Sequence, residues 1–123
     1  MNMLNKDIGY YGERLSIAYL KENNYTILEK NFLCKLGEID VIAKKRDVIS
    51  FIEIKTRYSD KYGKPMEAVN FYKKKKIINA SKFYIQKNKL NDFFIRFDVL
   101  EVYLNYNMKF KINFIEDAFR IGF

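Results

Sequence analysis

An α/β domain is the fold this chain predicts, and three observations carry the prediction. Apolar residues recur at helical spacing near the amino terminus, short β-branched segments then alternate between two faces, and a second helical stripe is followed by a return to strand period. The 123 residues are the size of one domain and hold enough apolar and aromatic side chains to fill a single core. Nothing between residues 1 and 123 reads as a linker, an internal repeat or a low-complexity segment, the nearest being Lys73 to Lys76.

Asn5 to Glu22 predicts the first helix, with Leu4, Ile8, Tyr11, Leu15 and Ala18 on one stripe and turn-prone Asn23-Asn24 at its end. A second stripe, Gly9, Glu13, Ser16 and Leu20, sets Glu13 among small residues that permit close approach to another backbone. That carboxylate can face the sheet, although a solvated glutamate is the competing reading. Tyr25 to Cys34 alternates as a strand. Ile39 to Ala43 and Val48 to Ile54 read as a hairpin around Lys44-Lys45-Arg46-Asp47. An even-numbered loop pairing Ala43 with Val48 would set Asp40 opposite Phe51 and on the face of Glu53 and Lys55. A one-residue slip would reverse it.

Tyr58 to Lys64 predicts a polar loop, and the only proline, Pro65, suits the first turn of a helix running to about Lys87. Its stripe of Val69, Lys73, Lys76, Ile77, Ala80 and Tyr84 turns Lys73 inward, where an ammonium must reach a carboxylate or phosphate or extend to solvent. Lys74 and Lys75 point away. Phe94 to Tyr103 is the next strand, with Ile95, Phe97 and Val99 on its apolar face and Arg96 and Asp98 as a structural pair on the other. Lys109 to Phe114 predicts an edge strand that Ile115 to Phe123 covers.

The chemistry concentrates in Gly37-Glu38-Ile39-Asp40 and Glu53-Ile54-Lys55. Hard divalent cations such as Mg²⁺ take oxygen ligands and keep several waters, so one or two carboxylates plus a substrate phosphate suffice. Asp40 and Glu53 fit that need, and Lys55 would orient a water or stabilise developing negative charge on a phosphodiester. An isolated Glu-x-Lys is more often a solvated strand face. An acid on the partner strand and the following Thr56-Arg57 favour a site here.

Gly12-Glu13, Asn31, Gly37-Glu38-Ile39-Asp40, Glu53-Ile54-Lys55-Thr56-Arg57, Tyr62-Gly63-Lys64-Pro65, Glu67-Ala68-Val69, Lys73 and Arg96-Phe97-Asp98 together resemble the YraN-like family of uncharacterised bacterial proteins. The match in order and spacing runs from about Gly9 to Val99. That family resembles the PD-(D/E)XK nuclease superfamily and, within it, archaeal Holliday junction resolvases. The resemblance implies a restriction-endonuclease-like αβββαβ core, with a central mixed sheet flanked by helices. It also implies a Mg²⁺- or Mn²⁺-dependent endonuclease acting on DNA, on branched or flapped structures among others. Asp40, Glu53 and the backbone carbonyl of Ile54 would be metal ligands, with Glu13 joining from the first helix and Lys55 in catalysis. A nucleic-acid-binding or scaffold protein that keeps the fold without turnover is the alternative.

Composition narrows the field. The absence of histidine removes Ser-His triads, Cys-His nucleophiles and histidine-based zinc hydrolysis. Single Cys34 forms no internal disulfide and has no histidine to activate it, so it reads as a strand filler. The amino terminus lacks the apolar stretch of a secretory signal and no run is long enough to span a membrane, which predicts a cytoplasmic protein. A formal net charge of +8 favours a polyanionic partner, DNA before RNA, although a chain this rich in Lys, Asn, Ile, Tyr and Phe also fits AT-rich codon usage. Arg57, Lys73 and Lys76 are the expected phosphate contacts, with Tyr58 and Tyr62 placed either to stack on unpaired bases or to pack the loop. A homodimer is the other partner state considered.

Overall fold

The computed structural model describes residues 5–58, 70–105, 107 and 109–120, with side chains from Asp7 onward. In chain order these form α1 (Asn5–Glu22), β1 (Thr26–Cys34), β2 (Gly37–Lys45), β3 (Val48–Tyr58), α2 (Phe71–Lys87), β4 (Phe94–Leu104) and β5 (Phe110–Phe119). The strands make one sheet in sequential order, β1-β2-β3-β4-β5. β3 and β4 run parallel while the other neighbours are antiparallel, because the α2 crossover returns the chain to the end where β3 began. This mixed sheet with its helices has the αβββαβ order of a restriction-endonuclease-like core, extended by β5.

Strand alternation supplies two cores. Val41, Ala43, Ile52, Leu100 and Val102 pack with Leu20 of α1 on one face. Ile42, Ile49, Phe51, Phe97 and Val99 pack with Ile77, Ala80 and Tyr84 of α2 on the other. On α1 the buried positions are Gly12, Ser16 and Leu20, so the second stripe faces the sheet through Ser16 and Leu20, with Gly12 in place of Gly9, while Ile8, Tyr11 and Leu15 flank it and Ala18 is exposed. The cause is Gly12. A Cβ there would come within 1.9 Å of Thr56 Oγ1, so helix and strand approach more closely than any side chain allows. Gly9 meets nothing within 4 Å and is not the close-approach glycine. Gly12→Ala is therefore expected to destabilise the fold by about 1 to 3 kcal/mol through overpacking, read as a lower urea midpoint with an unchanged m-value.

The β2–β3 turn is tighter than expected. Lys45 pairs with Val48 and Ala43 with Ser50, which moves the register by two residues from the predicted pairing while keeping its parity. Arg46 adopts φ 56°, the left-handed conformation that lets a two-residue loop follow strand twist. Lys44 and Lys45 consequently belong to the strand, their ammonium groups lying 4.8 Å and 5.2 Å from the ring centres of Phe93 and Tyr25. The described part of α2 begins at Phe71, capped by extended Asn70, whose side chain accepts the Lys73 amide at 2.9 Å. The expectations for Pro65, Val69, Tyr62 and most of the 58–64 loop fall outside the described residues. β5 continues to Phe119, so Ile115 to Phe119 extend the edge strand and do not cover it.

Arg96 and Asp98 tie the sheet together, as a structural pair should. Asp98 is fully buried and accepts from Arg96 Nε at 2.8 Å, from the Asp117 amide at 2.8 Å and from the Ser50 hydroxyl. Arg96 also donates to the Tyr25 hydroxyl at 2.6 Å and pairs with Glu116 at 2.9 Å. One charge pair thereby links the entry to β1 with β3, β4 and β5.

Candidate metal centre

The β2–β3 ladder is paired from Lys45 and Val48 as far as Val41 and Ile52, and Asp40 lies just past its end. Ile39 joins the α2-side core while Val41 joins the α1-side core, although strict alternation would put both on one face. The strand turns over at Asp40. Opposite it on β1, Asn31 takes φ 52°, and the ladder passes from Lys30–Val41 to Phe32–Ile39 without an Asn31–Asp40 pair. Asp40 therefore stands at the seam between β2 and β3, not flat on the Glu53 face as simple alternation predicts. Its Oδ2 accepts the Ile54 amide at 2.8 Å.

An open cavity of about 660 Å³ leads to this seam, lined by Gly9, Glu13, Asp40, Ile54, Thr56 and Tyr58. Glu13 is oriented by Asn31, whose side-chain amide donates to Glu13 Oε1 at 3.1 Å. Sequence reasoning gave Asn31 no role. Its signal was an asparagine inside a strand pattern, a residue that tolerates left-handed backbone and carries a donor. Glu53 is buried, and its Oε1 lies 2.6 Å from Lys73 Nζ, whose side chain is half exposed. The inward lysine thus reaches a carboxylate.

Burial, and after it the charge of Glu53, pushes the Asp40 carboxyl up to about 6, against the lowering effects of the Ile54 amide and Lys73. Burial acts to lower the Lys73 ammonium, but its hydrogen bond and charge contact with Glu53, together with Asp40 and Glu38, leave it raised. Lys55 is partly buried next to Glu101 in the β3–β4 register and makes no ion pair among the described residues. Arg57 is two residues further along β3. Lys76 is exposed on α2, beside Lys73 and Glu38 in a neighbouring groove. Asp40, Ile54 and Glu13 thus share one cavity, Glu53 acts on Asp40 through its charge, and Lys73 caps Glu53. Glu53, Lys55, Arg57, Lys73 and Lys76 sit outside the cavity lining.

Among the described residues no group of three or more His, Cys, Asp or Glu side chains is placed to hold a metal. Asp40, whose ionisation burial and the Glu53 charge oppose, is nonetheless an oxygen donor that a hard cation would relieve. The sign of the pH effect follows from Asp40. Its folded value exceeds the unfolded value of about 3.9, so its contribution to stability is complete below about pH 4 and is lost as pH rises through about 6. Asp40→Asn should gain on the metal-free wild type across that window, by at most about 3 kcal/mol, in urea midpoints compared at acid and neutral pH.

Comparison with known proteins agrees along nearly the whole chain. A family model described as "Uncharacterised protein family UPF0102" matches residues 12–102. A UPF0102 protein of Clostridium acetobutylicum is 52% identical over 122 residues, covering 98% of this chain and 100% of the relative. UPF0102 proteins of Clostridium perfringens strain 13 and Clostridium tetani are 49% and 50% identical, with the same coverage.

Proposed function

The chain belongs to the UPF0102, YraN-like family, and we propose that it is a divalent-metal-dependent endonuclease hydrolysing phosphodiester bonds in DNA, including branched or structured DNA. The observation that carries this reading is the seam site. Asp40 stands at the end of the β2–β3 ladder within reach of the Glu53 charge, and burial followed by that charge pushes its carboxyl up to about 6. Such a pair would attract a cation, and the cavity that Asp40 shares with Glu13 leaves room for a phosphate.

Asp40 and Glu53 would hold Mg²⁺ or Mn²⁺, with the Ile54 carbonyl as a further ligand. When bound, the ion supplies Lewis-acid activation of the phosphodiester and of water. Asp40 is aimed by the Ile54 amide, and Glu13 stands across the cavity, held by Asn31. Lys55, on the strand that carries Glu53, would stabilise charge that develops on the phosphate. Lys73, half exposed, can release Glu53 and turn to a phosphate oxygen without crossing the core. Arg57 and Lys76 would extend the phosphate contacts along the backbone.

One observation favours a second reading, a nucleic-acid-binding or scaffold protein without turnover: Lys73 pairs with the buried Glu53 and so neutralises it from within the chain. The two are separated by cleavage assays on single-stranded, duplex, flapped and four-way DNA with Mg²⁺ and with Mn²⁺. Metal-dependent cleavage of any of these supports the nuclease. Cleavage of none, with salt-sensitive binding retained, supports the scaffold. The described residues contain no helix long and apolar enough to cross a membrane.

A further inference from the structure

We propose that the groove beside Lys73 takes an unpaired nucleobase between Tyr72 and Leu33, with the adjoining phosphates on Lys73 and Lys76, so that the preferred substrate carries unpaired bases. The proposal rests on the reading of Asp40 and Glu53 as a phosphodiester-cleaving centre, whose substrate class it narrows.

The groove, about 490 Å³, lies between the β1–β2 turn and the first turns of α2, and Leu33, Gly37, Glu38, Tyr72, Lys73 and Lys76 are among its lining residues. Tyr72 is 76% and Leu33 74% exposed, so two large side chains with apolar surface line one groove and meet water there. Phe71 braces Tyr72 edge-to-face, with ring centres 5.9 Å apart at 77°. The floor is closely packed, since a Cβ on Gly37 would sit 2.8 Å from the carbonyl oxygen of Lys76. Asn70 fixes the start of α2 by capping it.

Two features join this groove to the candidate centre. Lys73 belongs to both, because its Nζ lies 2.6 Å from Glu53 while its side chain lines the groove. Lys73 and Lys76 supply positive charge on a chain of net charge +8, which is complementary to a phosphate backbone. Phosphates alone do not account for Tyr72 and Leu33, which offer a ring face and an aliphatic surface. In a duplex the base faces are buried in the stack, so only an unpaired base can use such a slot.

Fluorescence anisotropy of the full chain tests this with labelled oligothymidylate, oligouridylate and a mixed-sequence duplex, in chelator so that no cleavage occurs. Wild type should bind a single strand more tightly than the duplex. Tyr72→Ala should weaken single-strand binding by about 5- to 100-fold and duplex binding by less than about twofold, and Tyr72→Phe should restore the wild-type pattern. Tyr72 is exposed, so its truncation leaves the core packing in place, and circular dichroism checks the fold of each variant. Tyr72-dependent binding of either the DNA or the RNA strand supports the proposal and identifies the sugar accepted. Equal losses on strand and duplex, no loss on either, or a wild-type preference for duplex would overturn it. A wild type that binds single strands through Tyr72 but cleaves nothing with metal would sink the nuclease reading alone. Cleavage that proceeds while Tyr72→Ala binds normally would sink the base slot alone.

Discussion

Glu53→Gln should reduce metal-dependent cleavage by at least about 100-fold while leaving folding and nucleic-acid binding in place. The glutamine keeps the size of the buried side chain and an acceptor for Lys73, which lies 2.6 Å from the wild-type carboxylate, but removes the charge a cation needs. Lys55→Ala should impair the rate to a similar degree, because Lys55 shares the strand with Glu53 and has no ion pair among the described residues that its loss would disrupt. The two residues act on one transition state, so the double variant should be far less impaired than the product of the single effects. Single-turnover rates with saturating Mn²⁺ measure all three. Cleavage unchanged by Glu53→Gln would mean a contaminating nuclease or a different centre.

Asp98→Ala should be the most destabilising single change at a polar position, at about 3 to 5 kcal/mol. It would leave Arg96 with only Tyr25 and Glu116 and remove the acceptor that the Asp117 amide and Ser50 hydroxyl share at a fully buried site. For a domain of this size the melting temperature should fall by roughly 12 to 20 °C. Arg120→Ala provides the contrast, because its pair with Asp117 lies at the surface and should leave the melting temperature nearly unchanged. Calorimetry on both variants is the measurement. A small effect of Asp98→Ala would mean that the β4–β5 junction does not depend on this charge pair.

Much of the fold was legible from pattern alone. The bounds of α1 follow from an apolar stripe and a pair of asparagines, and the helix spans Asn5–Glu22 as expected. The three following strands follow from β-branched runs, and the crossover helix from its stripe through Ile77, Ala80 and Tyr84. Strand ends were less legible. Lys44 and Lys45 look like loop residues by polarity, but the tight turn at Arg46 pairs them with Ile49 and Val48, and their ammonium groups lie over Phe93 and Tyr25. In the same way Ile115 to Phe119 carry no local signal that separates edge strand from covering segment.

What the sequence determined by itself was the inventory and the order: a histidine-free chain with Glu38 and Asp40 ahead of β2's apolar run, a Glu-x-Lys on the next strand, and a lysine on the inward side of α2. These follow from residue type and periodicity, which are local. Tertiary structure decided where each group stands. The turnover at Asp40 depends on the left-handed Asn31 of a neighbouring strand, the face α1 turns to the sheet depends on Gly12 meeting Thr56, and the partner of Lys73 is a carboxylate twenty residues away. The raised Asp40 carboxyl is the same kind of property, because it reflects burial and a charge on another strand. Periodicity records which face a side chain takes along its own strand or helix. It carries no information about a close approach, a bulge or a buried charge that a different element imposes.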